Sequence, residues 1–335
     1  MTPSGSDCFH NCSVVWYRTG HNYFMDYFHN KTKAMHDIQL LMDKYNSGKI
    51  INISRTVGGY TNINYKVSTD KRDYLLKIHI DKKVEDIVPE IKILGYLKTK
   101  DIPAAYPIPD SEKGFINALG NDNVVIYEFI DGHHPEVNIK TTKQIAKVAA
   151  ALNLLEVPIF FTQKNWVDID FCKTVIKKIP DAVYIKPDIF EYFIEQTNYL
   201  EKPLSVKLSK GLVHGDLFPD NTMFNGNKLL SILDFEAICI ENLLHELGIA
   251  INGFCYVDNK LSEALLHVFL NEYQKYYTLN ETEKKLLPAY IQWGAHCMIA
   301  WHITGVMEHN DIKKYKRAQA LIERVKELRK MSFRF

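Results

Sequence analysis

The hydrophobic pattern of this chain changes period once, and that change limits what it can fold into. Before about residue 130 the apolar residues gather in short runs of strand character, at 50–56, 62–68, 74–80 and 123–130. After Gly132 they recur every three or four residues, as in Ile145, Val148, Leu152 and Leu155, which is helix character. The first three runs predict a meander, with Gly58-Gly59 at one turn and a charged turn over 70–73 at the other. A helix is expected before it over 33–47, where Ile38, Leu41, Met42 and Tyr45 share a face and Gly48 stops the run. Another follows through Val84, Ile87, Ile91, Leu94 and Leu97, with Pro89 resetting its start. Helices are expected over 141–155, capped by Thr141 or Thr142, and over 187–199. Asn225-Gly226 marks a hairpin, and 241–330 is mostly helical.

The chain therefore reads as α+β in two parts. A small sheet-rich part over 34–130 meets a larger, mostly helical part over 131–335, joined near 128–132. Clefts between such parts are common ligand sites. Residues 1–33 are rich in His, Asn, Tyr, Phe and Cys and show no period. They read as an extension of unassigned role or an overlong start, since Met25 and Met35 each offer a beginning.

Charge excludes some functions. The chain has 41 basic and 40 acidic side chains and a net charge of +1, which gives no broad field for nucleic acid or a membrane surface. No apolar run reaches the roughly 18 residues of a membrane span, and no basic start precedes an apolar segment. A cytoplasmic location is expected, with the sequons at Asn11 and Asn280 as chance matches. The six cysteines contain no C-x-x-C pair and read as reduced, mostly buried thiols. Cys8, His10 and Cys12 lack a second pair of ligands, so no zinc site is expected. Oligomeric state is left open.

Two segments carry chemistry. His214-Gly215-Asp216 is followed by Asn221, and Asp234-Phe235-Glu236 comes after the hairpin. Phosphoryl transfer needs such parts. One carboxylate, Asp216, orients the attacking hydroxyl and accepts its proton. An amide oxygen and a second carboxylate, Asn221 and Asp234, hold Mg2+ against nucleotide phosphates. Each element alone is compatible with a turn cap or a strand end; the three in register point to a kinase.

Those motifs resemble the aminoglycoside phosphotransferase and choline kinase superfamily, a branch of the protein-kinase-like fold. The wording from Asp216 to Asn221, and from Leu243 through His245-Glu246-Leu247-Gly248 to Phe254, is most similar to its homoserine kinase subgroup. The resemblance runs from Met35 to the late 320s. It implies a bilobal protein-kinase-like fold and ATP with Mg2+ as nucleotide and metal. It also implies Gly58, Gly59, Thr61 and Asn62 at a phosphate-cradling turn, and Lys77 on the third strand as the phosphate-binding lysine. Glu90 is preferred over Glu85 as the helix partner of Lys77, and Glu128 to Ile130 become the hinge that meets adenine. Glu236 matches the choline kinase-like wording; it would help position Mg2+, orient Asn221 or cap the next segment. His133-His134 read as solvated, and Trp293, Met298 and Trp301 as helix core.

The expected partner is a small-molecule hydroxyl acceptor. Homoserine or a similar amino alcohol ranks first, although no Arg lies between Arg72 and Arg317 to meet a carboxylate. Choline or ethanolamine ranks second, with Phe254, Tyr256, Trp293 and Trp301 as candidate aromatic faces. An aminoglycoside ranks third, with Glu241, Glu246 and Asp258 as sparse carboxylates. A nucleotide-binding pseudokinase would lack an element, yet Lys77, Asp216, Asn221 and Asp234 are all present.

Overall fold

The computed structural model describes residues 31–56, 62–179, 185–309 and 311–331. Helix α1 (Lys31–Asp43) leads into five antiparallel strands: β1 (Ile50–Arg55), β2 (Asn62–Thr69), β3 (Asp73–His79), β4 (Ile116–Leu119) and β5 (Asp122–Glu128). Their spatial order is β1-β2-β3-β5-β4, with helix α2 (Val84–Lys98) entering between β3 and β4. The expected meander is therefore the first part of a larger sheet; β4, four residues long, is too short to declare itself by alternation. Pro89 does not reset α2. The donor it lacks would serve the carbonyl of exposed Glu85, where water can substitute.

Strand alternation sends the sheet's two faces to different cores. Tyr74, Leu76, Ile78, Val124 and Ile126 face Ile38 and Met42 of α1. Leu75, Val125 and Tyr127 join the other cluster, with Ile87, Leu94 and Leu97 of α2 and the helical part. Lys77 pairs in register with Val125, so period two puts its side chain on that second face, toward the cleft.

The helical part contains α3 (Ile139–Asn153), α4 (Ile169–Lys178), α5 (Pro187–Leu204), α6 (Leu243–Phe254), α7 (Glu263–Tyr273), α8 (Glu281–His309) and α9 (Ile312–Leu328). Helix α3 is capped by Asn138 rather than by Thr141 or Thr142. Asn138 Oδ1 accepts from Lys140 N and Thr141 N, while the Thr141 hydroxyl oxygen accepts from Asn138 N. Helices α6 and α8 cross at Gly248 and Gly294. A Cβ on Gly248 would lie 2.1 Å from the Tyr290 carbonyl oxygen, so only glycine allows this approach.

Between α5 and α6 run short strands: β6 (Lys210–Val213), β7 (Thr222–Asn225), β8 (Lys228–Ile232) and β9 (Cys239–Asn242). The β7–β8 hairpin turns at Asn225-Gly226 as expected, and β6 pairs with β9. These two ladders bring residues 214–221 and 233–237 side by side.

Candidate active site

Lys77 is buried on β3, and its ammonium faces three carboxylates. Nζ lies 2.7 Å from Glu236 Oε1, 3.2 Å from Asp234 Oδ1 and 3.8 Å from Glu90 Oε1. Burial works against the charge, but Asp234, Glu236 and Glu90 outweigh it and hold the pKa well above the usual lysine value. Glu90 is buried on α2, whereas Glu85 is exposed and pairs with Lys83 at 3.7 Å. Of the two candidates, Glu90 is the one that reaches Lys77. Burial raises its pKa to about 7, against the opposing pull of Lys77.

Glu236 does not meet Asn221, nor does it cap the following segment. Its Oε1 also accepts from Asn62 Nδ2 at 2.5 Å, and its Oε2 from Lys82 Nζ at 2.5 Å. Burial disfavours its charge, yet Lys77 and Lys82 prevail and push its pKa far below the ordinary carboxylate value.

The opposite wall is built on backbone. The His214 ring is fully buried and bridges two loops: Nε2 bonds the Leu233 carbonyl at 2.9 Å, and Nδ1 accepts from Asp216 N at 3.2 Å. That pair of partners fixes the neutral tautomer with its proton on Nε2. Burial lowers the His214 pKa to about 4. Leu233 N in turn donates to Asn221 O at 2.8 Å, so Asn221, just before β7, and Asp234, just after β8, are held close together at the open end of one hairpin. Asn221 Nδ2 donates to Asp216 O at 2.9 Å and to Asp216 Oδ2 at 2.7 Å. Asp234 adopts φ 57°, a left-handed conformation costly for a residue with a Cβ. Burial and then the charges of Asp234 and Asp220 raise the Asp216 pKa well above the usual carboxylate value.

The donor set suits a hard divalent cation. Asn221 commits its amide nitrogen to Asp216, which leaves its oxygen for a cation beside the Asp234 carboxylate. Among the described residues no three His, Cys, Asp or Glu side chains form a metal cage. Magnesium commonly uses one or two protein oxygens together with phosphate oxygens rather than such a cage.

Several sequence expectations resolve differently. Gly58, Gly59 and Thr61 lie outside the described residues, while Asn62 begins β2. Glu128 ends β5, is exposed and sits 3.9 Å from Arg72; Ile130 follows it between the two parts. Glu246 is not available to a substrate: it is fully buried and accepts from Gly215 N at 3.0 Å. Burial raises its pKa to about 7. The signal for it was a lone carboxylate in an apolar run. Phe254, Tyr256 and Trp293 are core residues, and Lys314 lies 4.3 Å from the half-buried Trp301 ring centroid. His133 and His134 are exposed, as read. Lys82 carried no signal within its charged turn. Arg324, from α9, donates to the Asn252 carbonyl at 2.9 Å. The next residue, Gly253, packs against Phe218 and Pro219 of the 214–221 loop.

The profile of the phosphotransferase enzyme family (APH) matches residues 52–283. The chain is 23% identical over 260 residues to a homoserine kinase of Afipia carboxidovorans, spanning 76% of this chain and 79% of that protein. It is 24% identical over 257 residues to a homoserine kinase of Rhodospirillum rubrum, spanning 75% and 80%. An amicoumacin kinase solved in complex with AMP-PNP and Ca2+ superposes with a TM-score of 0.67 at 16% identity, covering 89% of this chain and 96% of that one. A microcompartment-associated aminopropanol kinase gives 0.67 at 16% identity, covering 87% and 94%. Plasmodium vivax ethanolamine kinase gives 0.61 at 17% identity, covering 83% of each chain. At these identities the structural likeness bears on the fold, and the expected bilobal protein-kinase-like arrangement is borne out.

Proposed function

This chain belongs to the phosphotransferase enzyme family, and on that premise we propose that it transfers the γ-phosphate of ATP to the hydroxyl of homoserine or a similar amino alcohol. One observation carries the reading. Lys77, on one side of a cleft, lies between Glu90 and the Asp234 carboxylate of the facing wall, where Asn221 holds the Asp216 carboxylate. In this reading Asp216 accepts a hydrogen bond from the acceptor hydroxyl and takes its proton as the oxygen attacks phosphorus. Lys77 holds the α- and β-phosphates, and Glu90 keeps the lysine in position. Gly58, Gly59, Thr61 and Asn62 cover the phosphates, and backbone groups from Glu128 to Ile130 meet adenine. Asn221 and Asp234 would hold Mg2+, which neutralises phosphate charge when bound.

Homoserine takes precedence because the named relatives that align over three quarters of the chain are homoserine kinases. A choline-like cation wants open aromatic faces, and here Phe254, Tyr256 and Trp293 are buried while Lys314 lies by Trp301. Against an aminoglycoside stands the burial of Glu246. Arg324 does not fill the place of the missing carboxylate partner, because its guanidinium is engaged by the Asn252 carbonyl, the Asn259 side chain and the Tyr256 ring.

The working division is an extension over 1–33, a nucleotide-binding lobe over 34–130, and a catalytic and acceptor lobe over 131–335. A cytoplasmic location is supported by Cys172, Cys239, Cys255 and Cys297, all free and buried. Among the described residues no helix is long and apolar enough to cross a membrane. The deciding experiment measures ADP release with Mg2+ and a panel of homoserine, 1-amino-2-propanol, ethanolamine, choline and spectinomycin. Homoserine or 1-amino-2-propanol should give the highest kcat/KM. A preference for ethanolamine, choline or spectinomycin would overturn the acceptor assignment, and no ADP release with any acceptor would overturn the kinase reading.

A further inference from the structure

Glu236 is the only residue of its short helical turn, Phe235–Ala237, whose side chain is bonded across the cleft among the described residues, and all its donors come from the sheet side. Asn62 opens β2, as the last residue of the turn expected to cover the phosphates. Lys77 lies on β3, and Lys82 lies on the turn from β3 to α2. Three donors from three successive segments thus converge within 2.7 Å on one carboxylate from the opposite wall. Buried His79 adds Nδ1 at 3.8 Å. Lys77 is closer to Glu236 than to Glu90, its expected partner.

We propose that Glu236 is a positioning residue that latches the sheet lobe to the catalytic wall through Lys82 and Asn62, and so presents Lys77 to the nucleotide at a set distance. The inference rests on the nucleotide-binding reading above. Its physical basis is population: nucleotide affinity falls by the fraction of molecules whose two walls are correctly apposed. Lys82 is the informative partner because it touches Glu236 without being placed on a phosphate. A purely local role for Glu236, holding Lys77 alone, would make Lys82 dispensable.

The test is a double-mutant cycle on Lys82→Ala and Glu236→Gln, read by calorimetric AMP-PNP binding with Mg2+. Hydrogen exchange over 80–83 and 234–238 in nucleotide-free protein supplies a second readout. Lys82→Ala should weaken AMP-PNP by about three- to tenfold, and the double variant should add less than the sum of the singles. Lys82→Arg should restore affinity, kcat of Lys82→Ala should stay within about twofold, and exchange in both segments should rise together. Additive effects, unchanged affinity in Lys82→Ala, tighter binding in that variant, or exchange that rises in one segment only would each overturn the latch. A wild-type protein that binds no nucleotide would overturn this proposal and the kinase reading together. Wild-type binding with an indifferent Lys82→Ala would overturn the latch alone.

Discussion

The two walls of the cleft handle charge in opposite ways. On the sheet side, Lys77 and Lys82 meet Glu90 and Glu236 at 2.5 to 3.8 Å, so opposite charges are paired. On the catalytic side, Asp234 and Asp220 both raise the cost of ionising Asp216. That wall is organised by backbone bonds through His214, Asn221 and Glu246 rather than by ion pairs. The sheet wall is held by ion pairs, those to Glu236 reaching across to the facing wall, while the catalytic wall uses fixed backbone geometry to keep like charges together. Such stored repulsion is how sites that receive a cation are commonly arranged.

The comparison breaks first at Asp234. Asp234→Ala removes the carboxylate shared by both walls, and turnover should fall below detection at ordinary Mg2+ levels. Near-normal steady-state rates would end its assignment as a metal ligand. Asp216→Asn keeps the shape and removes the proposed proton acceptor. Turnover should drop by about 10²–10⁴-fold with nucleotide affinity nearly unchanged, a split visible by comparing kcat with the ATP KM. Full turnover would show that another group takes the proton.

Lys77→Ala probes the paired wall. Losing one member of a buried charge pair costs about 2 kcal/mol or more in binding, so the ATP KM should rise on the order of 30-fold. The protein should remain folded, because Glu90 already lies near neutrality and can take a proton. A large fall in melting temperature with unchanged ATP kinetics would assign Lys77 to structure instead. His214→Ala leaves the Asp216 amide and the Leu233 carbonyl without their partner. It should cost about 1–3 kcal/mol in denaturant unfolding and less in chemistry than Asp216→Asn.

The smallest effect separates the lobes by pH. Burial lowers His79 and His296 to about 3 and His214, His245 and His302 to about 4. Four of the five lie in the helical lobe. The unfolded chain protonates these groups near 6.5, so it binds more protons than the folded one below that pH. Stability is therefore lost as pH falls from about 6.5 toward about 4. Glu90 and Glu246, raised to about 7, act the other way and gain stability as pH falls through 7. Asp216 and Asp122 are raised as well and act in the same sense as Glu90 and Glu246. The five lowered imidazoles still outnumber these four carboxyls, and melting temperature should decline between pH 6.5 and 4.5. His296→Gln, which retains an amide for Thr197, should flatten that decline.

Much of the site was legible because its residues lie close in sequence. Asp216 and Asn221 are five apart, and a hairpin marked by Asn225-Gly226 returns the chain to Asp234. Local spacing and a turn signal were enough to bring them together. Lys77 was harder, since a lone strand lysine has no preferred face in an apolar run. Glu236 was legible as a candidate but not its partners, because Asn62 and Lys82 are more than 150 residues away. Lys82 and Arg324 gave no local signal at all.

The sequence by itself determined the kind of elements and which side chains gather at the two motif segments. Period two and period 3.6 select strand and helix through backbone geometry, and short-range spacing selects which side chains share a loop. Only the tertiary structure decided which carboxylate meets Lys77, that Glu246 supports a loop rather than a substrate, and that Arg324 reaches the end of α6. Those outcomes depend on which distant surfaces pack together, as where Gly248 and Gly294 let α6 and α8 touch. A charge acquires its role from the burial and neighbours that such packing creates, and neither is encoded in local spacing.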